Sequence, residues 1–471
     1  MSGSAGLLYV VDEYNHVLGE ATLDSRTLLK LPETEERALL VKVFPRSEIM
    51  VTHVAISQVE DDDPLGSFCE RELSGFAAVV VPTYPTPQNT YPCAFVHARV
   101  KAYREARVLC DVLCAFDYEG YCAYEFEGVR VLRMPLDDLP ALLKRRDYRA
   151  ILLHFFDLRY AKALDEANVR ETPVFLWSHN PETLYWDWPR FTSPYFRDPP
   201  RLTEAQKDEF RERDAVLRRY NDLCNVSWVF VSEPLKRRSE ELLGFRFNRA
   251  HVIPNLVDEK VFPYREKDVE LRNRVFFVRK FDNIAHYAVD IDVATIVELS
   301  KRPCFAKMEF TIYGTGDLYD KLVEPLNGFE NVHLIKRYLS REEMACEHDR
   351  HGVALYATRF DSQGVTMCEA AMSGLAVVSS QIDVAAYFLP DDQGLLCEVE
   401  DPVAYADVLE RLCEEPEYFA ACARSCHRKV ARMCGRRQTV DREIELIKEA
   451  CGSMLLPRVR TALKRWKRRL V

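Results

Sequence analysis

RFDSQGVTMCEAAMSGLAVVSS, residues 359–380, is the stretch that decides the fold. It begins where an apolar run, GVALYAT (352–358), ends. It then places two carboxylates, Asp361 and Glu369, on either side of Gly364 and turns apolar again after Gly374. The run 352–358 reads as a strand buried on both faces, as strands of a parallel sheet are. Thr366 to Ser373 reads as a short helix that Gly374 stops. A loop joining such a strand to its helix lies at the strand's carboxyl end, where open α/β sheets bind ligands. Gly364 allows close approach to the backbone, and free N–H groups at the helix start favour an anion such as a diphosphate. Asp361 can reach a hydroxyl-rich group such as a sugar, and Glu369, one turn inside the helix, can accept from vicinal hydroxyls such as those of a ribose. A purely structural reading stands beside this one. Thr366-Met-Cys-Glu369 also fits a capping box, in which both side chains only satisfy helix N–H groups.

Similar strands recur on both sides of this stretch. RVFFVRKF, FTIYG, VHLIK and LLCEV surround it, AVVSS closes it, and FAAVVVPT, VLCDVLCAF, AILLHFF, VFLWSH and SWVFVSE precede it. Helical patterns alternate with them, so the spacing predicts two doubly wound α/β domains joined near 254–262. Residues 1–70 alternate differently. LLYVVDEYNHVLGEATL reads as two strands around a turn at Asn15, and ALLVKVF and EIMVTHVAI continue a small accessory sheet, with Glu60–Gly66 as a linker. The expected domains are 1–70 (accessory β), 71–255, 256–435, and a C-terminal helix and tail over 436–471.

Composition narrows the function. Of 471 residues, 48% are apolar, ample for large cores. The 15 cysteines follow no framework or zinc spacing, which suits buried thiols in a reducing compartment. Cys422, Cys426 and His427 are the nearest approach to a metal set. The N-terminus lacks the basic segment of a signal peptide, and no run reaches the length of a membrane span. These features predict a cytoplasmic protein. Net charge is −10, and the last sixteen residues, LPRVRTALKRWKRRLV, carry seven basic residues and no acid, leaving −17 on the remainder. An acidic body argues against nucleic acid as a partner. In the tail, Val459, Leu463, Trp466 and Leu470 form one helical stripe flanked by Arg and Lys, the pattern of a helix lying on an anionic membrane surface or docking on the protein itself.

The neighbourhood of Asp361 resembles glycosyltransferase family 4, retaining enzymes of the GT-B fold. That family carries Glu, seven residues, Glu, then an alanine-rich helix and Gly-x-x-Val-Val; here Asp361, seven residues and Glu369 are followed by AAMSGLAVVSS. HVIPNLVDEKVF (251–262) resembles the interdomain segment, FTIYGTGD (310–317) the strand with a Gly-x-Gly end, and VFFVRKFDN (275–283) the strand delivering a diphosphate-binding arginine. The resemblance implies an α/β GT-B architecture, two Rossmann-like domains facing a cleft, the N-terminal one for the acceptor and the C-terminal one for the donor. It implies that Asp361 and the backbone of Gln363, Gly364 and Val365 hold the donor sugar. Thr366 and Gly314 would lie near the phosphates, Arg279 with Lys280 would neutralise the diphosphate, and Glu369 would hold the ribose. The family's histidine falls on His179, for which a hydrogen-bonded structural role is the alternative; His154 reads as core.

Three departures accompany the match. The first carboxylate is the shorter Asp, the lysine that follows the arginine is replaced near His286, and the loop TYPTPQNTYP (83–92) has no glycine. The expectation is a metal-independent, retaining hexosyltransferase without a cofactor. Its donor is a nucleotide-diphosphate sugar and its acceptor a glycan or lipid-linked hydroxyl, at the inner membrane face, in polysaccharide biosynthesis. A catalytically silent sugar-nucleotide binder and another GT-B enzyme, such as a nucleotide-sugar epimerase, are the rival expectations.

Overall fold

In a computed structural model, residues 6–11, 17–23 and 40–45 are described as backbone strands, and residues 75–187 and 201–450 in full apart from Gln88, Tyr91 and Asp147, together with Leu65 and Leu73. Strands β1 (Gly6–Val11), β2 (Val17–Leu23) and β3 (Leu40–Pro45) pair antiparallel in the order β2-β1-β3, with a register shift between Val10 and Val11. The β structure expected at the N-terminus is present in these strands. The turn at Asn15, EIMVTHVAI, the linker apart from Leu65, and the basic tail lie outside the described residues.

The apolar runs between 77 and 252 form β4 (Ala77–Val81), β5 (Cys110–Phe116), β6 (Cys122–Phe126), β7 (Val129–Pro135), β8 (Ala150–His154), β9 (Val174–Ser178), β10 (Val226–Phe230) and β11 (Ala250–Val252). Their order is β11-β10-β9-β8-β4-β5-β7-β6. β4, β8 and β9 are buried along their whole length, which is why they read as unbroken apolar runs. The β6–β7 hairpin is antiparallel, and its turn residues Glu127 and Gly128 both have positive φ (44° and 77°), the primed geometry that suits strand twist.

The second sheet consists of β12 (Arg274–Lys280), β13 (Glu309–Thr315), β14 (Val332–Ile335), β15 (Val353–Tyr356), β16 (Ala376–Ser380) and β17 (Leu396–Cys397), all parallel, in the order β14-β13-β12-β15-β16-β17. The chain winds outward from β12 to one side, then returns to lay β15 on the other. The winding direction therefore reverses between β12 and β15, the place where a ligand crevice forms. β12 stays paired with β13 from Arg274 to Lys280, yet with β15 only at Val275 and Phe276. Beyond Phe277 the two strands part, and Arg279 lies where they open. Phe276, Phe277, Ile312, Leu355 and Val378 fill the core beneath.

Cys422 and Cys426 are fully buried in the helix Pro416–Cys434, and His427 Nδ1 bonds the Met372 carbonyl at 2.9 Å. Among the described residues no group of three or more His, Cys, Asp or Glu is placed to hold a metal ion, and no helix is long and apolar enough to cross a membrane.

Candidate active site

Arg279 is the penultimate residue of β12, and strand alternation turns it and Lys280 to opposite faces. Its guanidinium carbon sits 4.9 Å from the Tyr287 ring centre and 4.6 Å from that of Tyr356, held between two aromatic faces. Nη2 reaches the Ala357 carbonyl at 3.5 Å, and Nε is buried with no partner among the described residues. Behind it lies Asp292, fully buried on the helix Val289–Leu299. Asp292 Oδ1 accepts from the Ala357 N–H at 2.8 Å while Oδ2 has no partner among the described residues. Burial pushes this carboxyl up to about 8, with the charge of Arg279 opposing. Lys280 instead pairs with Asp282 at 2.8 Å, on an exposed side chain, and is not among the residues lining the pocket described below.

The loop after β15 is fixed on several sides. The Thr358 N–H donates to Ser380 Oγ at 2.7 Å, and the Arg359 N–H to the His286 carbonyl at 3.0 Å. The Arg359 side chain turns away to Asp290 (2.7 and 2.9 Å) and Glu400 (2.6 and 3.0 Å). Asp361 Oδ1 accepts the N–H groups of Ser362 (2.8 Å) and Gln363 (3.2 Å), a local turn that shapes the loop. Ser232 Oγ donates to the Ser362 carbonyl at 2.7 Å. Gln363 is fully buried; its Oε1 accepts from the Asn255 N–H at 2.6 Å and its Nε2 donates to the Asn255 carbonyl at 3.0 Å.

The helix observed is Val365–Met372, one residue earlier than the sequence pattern predicts, with Gly364 as its N-cap at φ 70°. No side chain caps it, so the Thr366–Glu369 capping box is not formed. The left-handed backbone at Gly364 favours glycine, and a Cβ there would meet Met367 Cε at 3.1 Å. Arg279, Thr358, Asp361, Gln363, Gly364 and Met367 line one pocket with Ile382, Val384 and Ala385. A guanidinium, a carboxylate and an uncapped helix start thus converge at the switch point, an arrangement that neutralises an anion while leaving a carboxylate for hydroxyls.

The other candidates are placed around this centre. Val365 and Thr366 are half-buried in the first turn of the helix. Glu369 is 7% exposed and outside the pocket lining; Arg341 Nη2 stands 3.8 Å from its Oε1. Burial pushes Glu369 up to about 7, against the pull of Arg341. Gly314 ends near Arg279 because β13 and the chain after β12 pack closely: a Cβ there would stand 2.2 Å from the Arg279 carbonyl and 2.4 Å from Phe281 Cε2. His179 follows β9, and its Nε2 lies 2.9 Å from His154 Nδ1. The His179 N–H donates to Glu182 Oε2 at 2.8 Å, and the rings of Phe95 and Phe155 pack on it at 4.6 and 5.1 Å. Burial, and then the charge of Arg99, hold His179 well below the usual imidazole range.

Sequence reasoning missed Tyr287, Tyr356 and Asp292, whose only signal is an acid and two phenols in otherwise apolar segments. It treated His286 as a replacement for lysine. The structure makes His286 a neighbour of both Asp361 and Arg279: burial lowers its pKa while the charge of Asp361 raises it.

Residues 272–415 match the family model described as Glycosyl transferases group 1. Among solved structures, the chain is similar to sucrose-phosphate synthase from Thermosynechococcus elongatus, with 14% identity, a TM-score of 0.58, and 80% of this chain and 99% of that one covered. It is similar to the trehalose-6-phosphate synthase OtsA at 13% identity and a TM-score of 0.57, over 79% of this chain and 98% of that one. Anabaena HepE, solved with UDP and glucose, is similar at 12% identity and a TM-score of 0.55, over 80% and 99%. No match was found among curated protein sequences. At these identities the likeness is one of fold, and the fold is GT-B: two parallel-rich α/β sheets with helices, each of Rossmann type.

Proposed function

We propose that the protein is a retaining glycosyltransferase that moves a sugar from a nucleotide-diphosphate sugar to an acceptor hydroxyl. The observation that carries this is the shared pocket of Arg279, Asp361 and Gly364 at the switch point of the second sheet. The group 1 match over 272–415 supports it, and the UDP and glucose bound by HepE support the donor class.

The diphosphate lies between the Arg279 guanidinium and the helix start at Gly364–Thr366, and Asp361 faces the sugar. Glu369 takes the ribose, and His179, already paired with His154 beneath Phe95 and Phe155, is given no contact with the sugar. A covalent route would need two carboxylates about 5–5.5 Å apart flanking one carbon. Asp361 lines the pocket and Glu369 does not, so they suit different parts of one ligand. Front-face substitution suits them better. The bond from the sugar's C1 to the phosphate oxygen breaks with its electron pair left on that oxygen. The acceptor oxygen bonds C1 from the same face, and its proton passes to the departing phosphate. The protein contributes position and preorganised positive charge, with no metal required in this scheme. The acceptor is a glycan or lipid-linked hydroxyl, and the basic stripe of 456–471 would hold the protein at an anionic surface.

A thermal-shift panel of UDP-, GDP- and ADP-sugars tests the donor. Saturation at 100 times Kd adds about 2.7 kcal/mol, so the true donor stands out. No stabilisation by any of them would refute the proposal. A second reading, a sugar-nucleotide binder without turnover, draws on Asp361, whose Oδ1 is already engaged by two backbone amides. Binding without transfer to any acceptor, followed by NMR, would favour it.

A further inference from the structure

The helix Ala94–Glu105 carries a charged residue in the core of the molecule. Arg99 is fully buried, and each guanidinium nitrogen is engaged. Nε donates to Glu443 Oε1 at 2.9 Å, and Nη1 to Asn255 Oδ1 at 2.8 Å and to the Phe95 carbonyl at 3.3 Å. Nη2 donates to the Pro254 carbonyl at 3.4 Å. Glu443 is 1% exposed, on the helix 440–450, and its other oxygen accepts from Tyr103 Oη at 2.5 Å. Asn255 is in turn the residue whose backbone N–H and carbonyl are both gripped by the Gln363 amide. An unbroken set of buried polar contacts therefore runs from the C-terminal helix, through Arg99 and Asn255, to the loop bearing Asp361 and Gly364.

We propose that Arg99 is a positioning residue: its fork fastens the Pro254–Asn255 segment, which through Gln363 sets the conformation of Asp361–Gly364. Glu443 is the counter-charge that keeps the fork in place. The proposal rests on the reading of that loop as the donor site for its functional meaning, but the tether itself is a structural claim. Charge balance alone does not account for the arrangement. A lysine would neutralise Glu443 equally well, but its single nitrogen cannot span Glu443, Asn255 and the Pro254 carbonyl together.

Hydrogen exchange read by mass spectrometry on the full chain tests the tether without a substrate, comparing wild type with Arg99→Lys, Arg99→Met, Glu443→Gln and Gln363→Met. In both Arg99 variants, exchange in peptides spanning 253–257 and 361–368 should rise about tenfold or more, the loss of one hydrogen bond to a charged group. Peptides from β13 and β14 should exchange as in wild type. Gln363→Met, which cuts the set from the other end, should deprotect the same two segments. Glu443→Gln keeps an acceptor for Nε and should give a smaller rise. If Arg99→Met does not fold, Arg99→Lys decides the matter. Wild-type protection of 253–257 and 361–368 in Arg99→Lys, or a rise spread evenly over the sheet, would overturn the proposal.

Calorimetry with UDP, GDP and ADP adds the functional arm. The nucleotide that binds wild type should bind Arg99→Lys about tenfold more weakly, and equal affinity would count against positioning. Absence of binding to wild type would sink the donor reading, and the exchange data would still decide the tether.

Discussion

Arg279 and His179 hold comparable places, each at the carboxyl end of a parallel strand, and are almost equally covered, at 6% and 7% exposure. Their surroundings differ. Among the described residues Arg279 makes one long hydrogen bond and keeps a buried Nε without a partner, and it lines a pocket. His179 pairs its Nε2 with His154, gives its N–H to Glu182, and lies under Phe95 and Phe155. Burial alone therefore does not distinguish a residue with a donor to spare from one completed by the fold. A buried donor left unused beside a pocket does, because an unpaired buried polar group otherwise carries a penalty with nothing in return.

That contrast can be broken most directly at Arg279. Arg279→Ala should lower kcat by about two to three orders of magnitude, roughly 3–4 kcal/mol, with the melting temperature nearly unchanged. Arg279→Lys should not restore it, since a point charge does not fill the space between Tyr287 and Tyr356. Undiminished turnover in the alanine variant would end the comparison. His179→Ala should show the opposite balance. Stability in a urea titration drops by about 1–3 kcal/mol as His154 loses its partner, while turnover below the transition falls only about tenfold. A loss of activity as large as that of Arg279→Ala, without a stability change, would place the two residues in one class.

A smaller effect belongs to the helix start. Gly364→Ala puts a side chain on a left-handed backbone beside Met367, at about 1–2 kcal/mol, and should weaken nucleotide binding in calorimetry. The remaining test is a pH slope. Glu369 has its folded pKa raised from 4.5 to about 7, so the folded state holds the proton more tightly than the unfolded one. Its contribution to stability is complete below about 4.5 and declines as pH rises through about 7. Unfolding midpoints measured across that window should fall with pH in wild type and fall less in Glu369→Gln; equal slopes would contradict the assigned burial.

Much of the second sheet was legible because its strands are apolar on both faces and its loop chemistry is local. RVFFVRKF, FTIYG and AVVSS correspond to β12, β13 and β16, and the 366–373 helix differs from the observed one by a single residue. The aromatic and acidic surroundings of Arg279 were not legible. Tyr287 lies eight residues beyond Arg279, Asp292 belongs to the following helix, and Tyr356 comes from β15; only the winding order of the sheet brings them together. Arg99 was hidden for another reason. An arginine in a helix reads as solvated, and its partners Asn255 and Glu443 are 156 and 344 residues away.

The Gln363 side chain offers one donor and one acceptor to the two ends of a single residue, copying in miniature the pairing of neighbouring strands. Replacing that amide by a carboxylate, as in Gln363→Glu, would set a negative oxygen against the Asn255 carbonyl and turn the grip into repulsion.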